Sequence, residues 1–182
     1  VAGFSVFLGQ NDMGRFLAFI DRLSLMSGWI ASLLIVPLIF ASVYEVFSRY
    51  LFNAPTIWAY EIGYMATGTY FFLGMAYALQ ERAHIRIDLF FSSLSIKNRN
   101  LIDFFGYSFL MLPAACWLTW RLGLYAWDAF VWGERSGESA WNPVIWPYRT
   151  VFFAGFVLLT LQAFAEWMRA LATLLGISFD TE

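Results

Sequence analysis

Read for polarity alone, the chain alternates between long apolar runs and short polar breaks. Four runs approach or exceed the length needed to cross a bilayer, about 20 mostly apolar residues. They cover about 23–47, 56–79, 101–126 and 143–175. Pro37 and Pro113 fall inside the first and third, where a spanning helix tolerates a kink because neighbouring groups re-satisfy the freed backbone. Pro143 and Pro147 open the fourth, where the first N–H groups lack helical partners in any case. The pattern predicts an all-α integral membrane protein, a single membrane domain over 1–182 with four transmembrane helices. Ahead of the first span, Phe4, Val6, Phe7 and Leu8 are separated by a polar stretch from Phe16, Leu17, Phe19 and Ile20. That grouping predicts a short N-terminal interfacial helix lying on the membrane surface. With no basic stretch ahead of an apolar core, it is not expected to be a signal peptide.

Composition strengthens this reading. Hydrophobic residues make up 60% of the chain and charged ones 13%, against about 45–50% and about 25% in soluble domains. Mean hydropathy is +0.63. The net charge of −2 provides no basic field for nucleic acid. Cys116 is the only cysteine, so no intrachain disulfide or paired-cysteine metal motif can form. His84 is the only histidine, so the chain cannot hold haem between two histidines of its own. No cofactor or metal is expected.

Basic residues orient the spans. With four crossings, Arg15, Arg22, Arg82, Arg86, Lys97, Arg99 and Arg169 share one side, against Arg49, Arg121, Arg135 and Arg149 on the other. The bias places both termini in the cytoplasm. Trp58, Trp127, Trp132, Trp141 and Trp146 then cluster at the outer boundary and Trp167 near the inner one, as interfacial anchors do.

At 100° per residue, Gly63, Thr67, Gly74 and Ala78 fall on one narrow face of the second span, with Phe71 at its edge. Small residues so placed let another helix come close, which makes this a candidate helix or subunit packing face. Charges at or inside the apolar segments need a partner or a purpose. Glu45 and Arg49 stand four apart with the acid first, the favourable order for a helical pair. Glu61 lies across the turn at Asn53 and Pro55. The three read as a structural ion-pair network joining the first two spans. A proton or ion relay is the weaker reading, because no chain of titratable groups continues through the helix middles. His84 and Asp88, where the second span leaves the membrane, read as a hydrogen-bonded helix-exit cap. No second histidine or cysteine supports a metal site there, and no nucleophile motif supports catalysis. The outer loop carries Glu134, Arg135, Glu138 and Trp141. It reads equally as a tryptophan-anchored connector or as a docking surface.

The run Arg49-Tyr50-Leu51-Phe52-Asn53-Ala54-Pro55, followed by Trp58, Glu61, Leu73-Gly74, His84 and Asp88, resembles the DctQ-like small membrane subunit of tripartite ATP-independent periplasmic (TRAP) transporters. So do Gly133-Glu134-Arg135-Ser136, Trp141, Pro143, Trp146-Pro147, Arg149, Gly155 and Leu161-Gln162. The resemblance covers about Leu23 to Trp167 and rests on order and spacing together. It implies a non-catalytic subunit of the bacterial inner membrane. Its partners would be a large multi-span permease, a periplasmic solute-binding protein and membrane lipid. In such systems the binding protein delivers an organic acid or similar solute, and the permease imports it on a sodium gradient by an elevator-type motion. The small subunit acts as a scaffold and helps the binding protein dock. The alternatives are a membrane anchor of a redox complex, against which the single histidine argues, and a small intramembrane enzyme.

Overall fold

The computed structural model describes residues 2–81 and 96–177, with side chains over 12–81 and 98–177. The described chain is helical apart from one turn and one hairpin. The first helix, α1, runs unbroken from Ala2 to Leu51, about 75 Å at 1.5 Å per residue. The separate interfacial helix expected at the N-terminus is therefore not a separate element. Two things carry the helix through the polar stretch. A single glycine such as Gly14 costs only about 1 kcal/mol relative to alanine and does not by itself end a helix. Beyond it, Leu17 and Ile20 bury against Ala165 of the last helix, flanked by Met13, Leu161 and Met168. Tertiary packing, invisible in local pattern, decides the conformation here.

Helix α1 ends where Asn53 takes a left-handed conformation, φ 53°, which asparagine tolerates better than most residues. Ala54 N–H then closes back on the Ser48 carbonyl at 3.0 Å. Helix α2 follows over Ala59–Gln80. Helix α3, Ile96–Gly106, passes through a π-helical turn at Tyr107–Met111 into α4, Leu112–Val131. Pro113 explains the widened turn. It has no N–H to donate, and its ring crowds the carbonyl four residues back. Leu112 N–H accordingly reaches the Tyr107 carbonyl, five residues back. After a hairpin, α5 runs over Trp146–Leu175, with Pro147 in its first turn and Gly176 at φ 71° closing its end.

Helix α5 is the hub. It packs against α1, α2, α3 and α4, while α1 also lies along α2. Buried positions are mostly small: Ala59, Ala76, Ala115, Ala126, Ala129, Ala163 and Ala165. The large side chains, such as Trp29, Phe40 and Leu110, point outward. This small-inside, large-outside order suits helices that pack within lipid, where close backbone approach matters more than burial of bulk. At Gly155 backbone meets backbone: a Cβ there would stand 2.6 Å from the Phe72 backbone oxygen of α2.

Among the described residues, three helices are long and apolar enough to cross a membrane: Asp12–Leu51, Asn98–Val131 and Trp146–Leu175. The fourth expected span, about 56–79, falls on α2, which has 22 residues but is diluted by glycines, threonines and tyrosines. It lies against both α1 and α5. Replacing Gly155 with valine should force α2 and α5 apart. The expected cost is about 1–3 kcal/mol or more, as for overpacked cores, read as a lower unfolding temperature of the purified subunit in detergent.

Candidate functional site

At the end of the molecule where α1 meets α2, Arg49 Nε donates to Glu45 Oε1 at 2.9 Å and Nη2 lies 2.5 Å from the same oxygen. The other carboxylate oxygen of Glu45 accepts the Thr56 N–H at 3.0 Å and the Thr56 hydroxyl. Thr56 Oγ in turn receives Ala59 N–H at 3.3 Å, capping the first turn of α2. Tyr44 stacks on Trp58 with centroids 5.8 Å apart. Glu45 thus ties the end of α1 to the start of α2, with Arg49 beside it.

Glu61 is elsewhere. Among the described residues Arg49 pairs with Glu45 alone, so the expected three-membered network divides in two. The Glu61 side chain is fully buried and accepts the Ser139 hydroxyl from the hairpin. Ser136 and the Asn142 backbone also flank it. A buried carboxylate needs donors around it; the folded-back loop supplies one to Oε1, while Oε2 has no hydrogen-bond partner among the described residues.

That loop is itself ordered by internal bonds. Arg135 and Val144 form an antiparallel bridge, Ser136 N–H reaches the Pro143 carbonyl at 3.0 Å, and Ile145 N–H reaches the Glu134 carbonyl at 3.0 Å. Gly137 and Asn142 turn the chain with positive φ, and Asn142 Oδ1 accepts Gly137 N–H at 2.9 Å. Arg149, from the first turn of α5, clamps the base. Its guanidinium lies 3.6 Å from the Tyr125 ring centroid and pairs with Glu134 at 2.6 Å, combining cation–π and ionic attraction. Of the four loop candidates, Glu134 therefore serves the clamp. Arg135, which also donates to the Asn142 carbonyl at 2.9 Å, stays exposed together with Glu138 and Trp141.

The proposed packing face of α2 divides from the contacts the helix makes inside the chain. A Cβ at Gly63 or Gly74 would meet nothing within 4 Å. At Gly68, by contrast, it would strike the Tyr148 hydroxyl of α5. Gly63, Thr67, Gly74 and Ala78 occupy the arc between the α1 and α5 contacts, beside exposed Tyr60 and Phe71. His84 and Asp88 lie outside the described residues.

A second polar cluster, not predicted from the sequence, lies at the opposite end. Ser24 donates to Gln162 Oε1 at 2.7 Å, and Gln162 Nε2 donates to Asp21 at 3.1 Å. Arg169 pairs with Asp21 and, at 2.5 Å, with Glu166. Ser24 and Gln162 are entirely enclosed. The signal was present: Gln162, Glu166 and Arg169 recur at helical spacing on one face of α5, with Asp21 and Ser24 three apart on α1. Nearby, Trp167 Nε1 donates to Ser108 Oγ at 2.7 Å. Among the described residues no group of three or more histidine, cysteine or acidic side chains could hold a metal. Chemically, these two clusters fasten helices together.

Gln162→Leu should leave Ser24 and Asp21 short of a partner, at about 1–3 kcal/mol. Arg169→Ala should cost at least as much by removing the cation that Asp21 and Glu166 share. It should fall short of the roughly 3–5 kcal/mol of a fully buried pair, because the arginine side chain is 26% exposed. Chemical unfolding in detergent micelles reads both.

The family model for tripartite ATP-independent periplasmic transporters, DctQ component, matches residues 38–173, well over half of the chain. The match takes in Glu45, Arg49, Glu61, the hairpin and the α5 side of the second cluster, and leaves Asp21 and Ser24 outside. No curated protein matches the chain.

Proposed function

The chain belongs to the DctQ component family of tripartite ATP-independent periplasmic transporters, and from that premise we propose that it is the scaffold of a sodium-driven importer. It would hold the large permease subunit in the membrane and help a periplasmic solute-binding protein dock. The solute class is an organic acid or similar molecule. In this reading α2 is the fourth span, the hairpin faces the periplasm and both termini face the cytoplasm, in line with the asymmetry of the basic residues.

One observation carries the proposal. α2 lies against both α1 and α5, yet a Cβ at Gly63 or Gly74 meets nothing within 4 Å. Close-approach residues on a central helix suit a neighbour from another chain. The paired charges support the same reading, since they join helices and form no path through the bundle. A redox anchor would need ligands that a lone histidine does not provide.

Gly74→Leu tests the scaffold role. The purified subunit should keep its unfolding temperature, because the side chain enters open space. Recovery with the large permease in a pull-down should fall severalfold. Equal recovery of variant and wild type would show that this face does not carry the assembly. Docking is tested by changing Arg135, Glu138 and Trp141 together to alanine. Assembly should be preserved, while solute uptake at limiting binding protein should drop and recover as that protein is raised. A rate unchanged at every concentration would remove the hairpin from docking.

A further inference from the structure

Helix α4 packs on α5 with one side only. Ala115, Thr119, Gly123 and Ala126 form that side. Thr119 Oγ lies 2.9 Å from Thr160 Oγ and 3.1 Å from the Phe156 carbonyl, and Phe153 crowds Gly123. At 100° per residue, Trp117, Trp120 and Arg121 project from the other side. The two tryptophans are 58% and 63% exposed, and Arg121 is exposed as well. Among the described residues, neither indole N–H nor the guanidinium has a hydrogen-bond or ion-pair partner.

Their depth makes this notable. Trp127 stands near the hairpin end of α4, and Ser108, in the π-helical turn that precedes α4, is held by Trp167. The rise between them is about 29 Å, close to the roughly 30 Å of a hydrocarbon core. Trp117 therefore sits about 15 Å from Trp127 along α4, well inside the span, with Trp120 and Arg121 one turn nearer the hairpin. Tryptophan favours the interface because its N–H wants an acceptor. Acyl chains have none to give, and an unsatisfied donor in lipid is costly.

We infer that the Trp117–Trp120–Arg121 face of α4 is covered by a protein helix that presents a carboxylate level with Arg121, and that this helix belongs to the large permease. The assignment rests on the scaffold reading above. Arginine and tryptophan are enriched at the centres of protein interfaces, and a guanidinium matches a carboxylate in two-pronged geometry. A lipid phosphate could meet Arg121 through an extended side chain, but it leaves the deeper Trp117 N–H without an acceptor. A second copy of this chain fits poorly too. Two copies in one orientation, related by a two-fold axis along the membrane normal, would set Arg121 against Arg121.

The test is a pull-down on a tagged large permease co-expressed with this subunit in mild detergent. Arg121→Glu should lower recovery of the subunit about tenfold or more, Arg121→Gln less steeply, and Arg121→Lys least. Each variant purified without the permease should keep the wild-type helix content and unfolding temperature, since Arg121 has no hydrogen-bond or ion-pair partner within the described subunit. If wild type recovers the permease and Arg121→Glu and Arg121→Gln recover it equally well, the inference is wrong and the scaffold reading survives. Equal recovery with loss of a bound phospholipid in native mass spectrometry would assign the face to lipid and likewise overturn it. A Trp120→Cys disulfide between two copies, in a Cys116→Ser background, would overturn it in favour of self-association. Failure of wild type to recover the permease removes both readings.

Discussion

The fold depends on how closely other helices can approach α5. Inside a bilayer there is little hydrophobic drive to press helices together, so association rests on contact and on a few polar bonds. The core is correspondingly flat. Alanines line it, Gly155 lets the α2 backbone almost touch α5, and Thr119 reaches Thr160 and Phe156 from α4. A helix with a bulky stripe at these positions would hold its neighbours too far apart for either kind of contact.

Polar groups then fix what close packing alone would leave free to slide. Near one end, Glu45 sets α1 against α2 and Glu61 secures the hairpin, while Arg149 ties the hairpin base to α4 and α5. At the other end, Gln162 and Arg169 hold α1 to α5 in a single register. A helix pair joined by smooth surfaces has many similar registers. Directional bonds at both ends select one. The two devices divide the work: contact area supplies attraction, and the clamps supply position.

Much of this could be read from the chain. The apolar runs announced a membrane protein, and the prolines of α4 and α5 marked a distortion and a start. What failed to show was long-range pairing. Glu61 seemed to face Arg49 because both border the same short turn; its partner Ser139 is distant in sequence and arrives only because the hairpin folds back. The N-terminal stretch looked interfacial because nothing local records that Leu17 and Ile20 have a groove on α5 to fill. The Gln162–Glu166–Arg169 face was legible and went unread, since each residue alone resembles an ordinary boundary residue.

The placement of the two clamps has an electrical consequence. A membrane voltage does work only on charge that moves through the field, about 2.3 kcal/mol per elementary charge for each 100 mV crossed. Glu45 and Arg49 sit side by side at one level, and Arg169 is held between Asp21 and Glu166. A subunit built this way carries no gating charge of its own in these clusters. A voltage across the membrane therefore does no work on these groups while the helices keep their register.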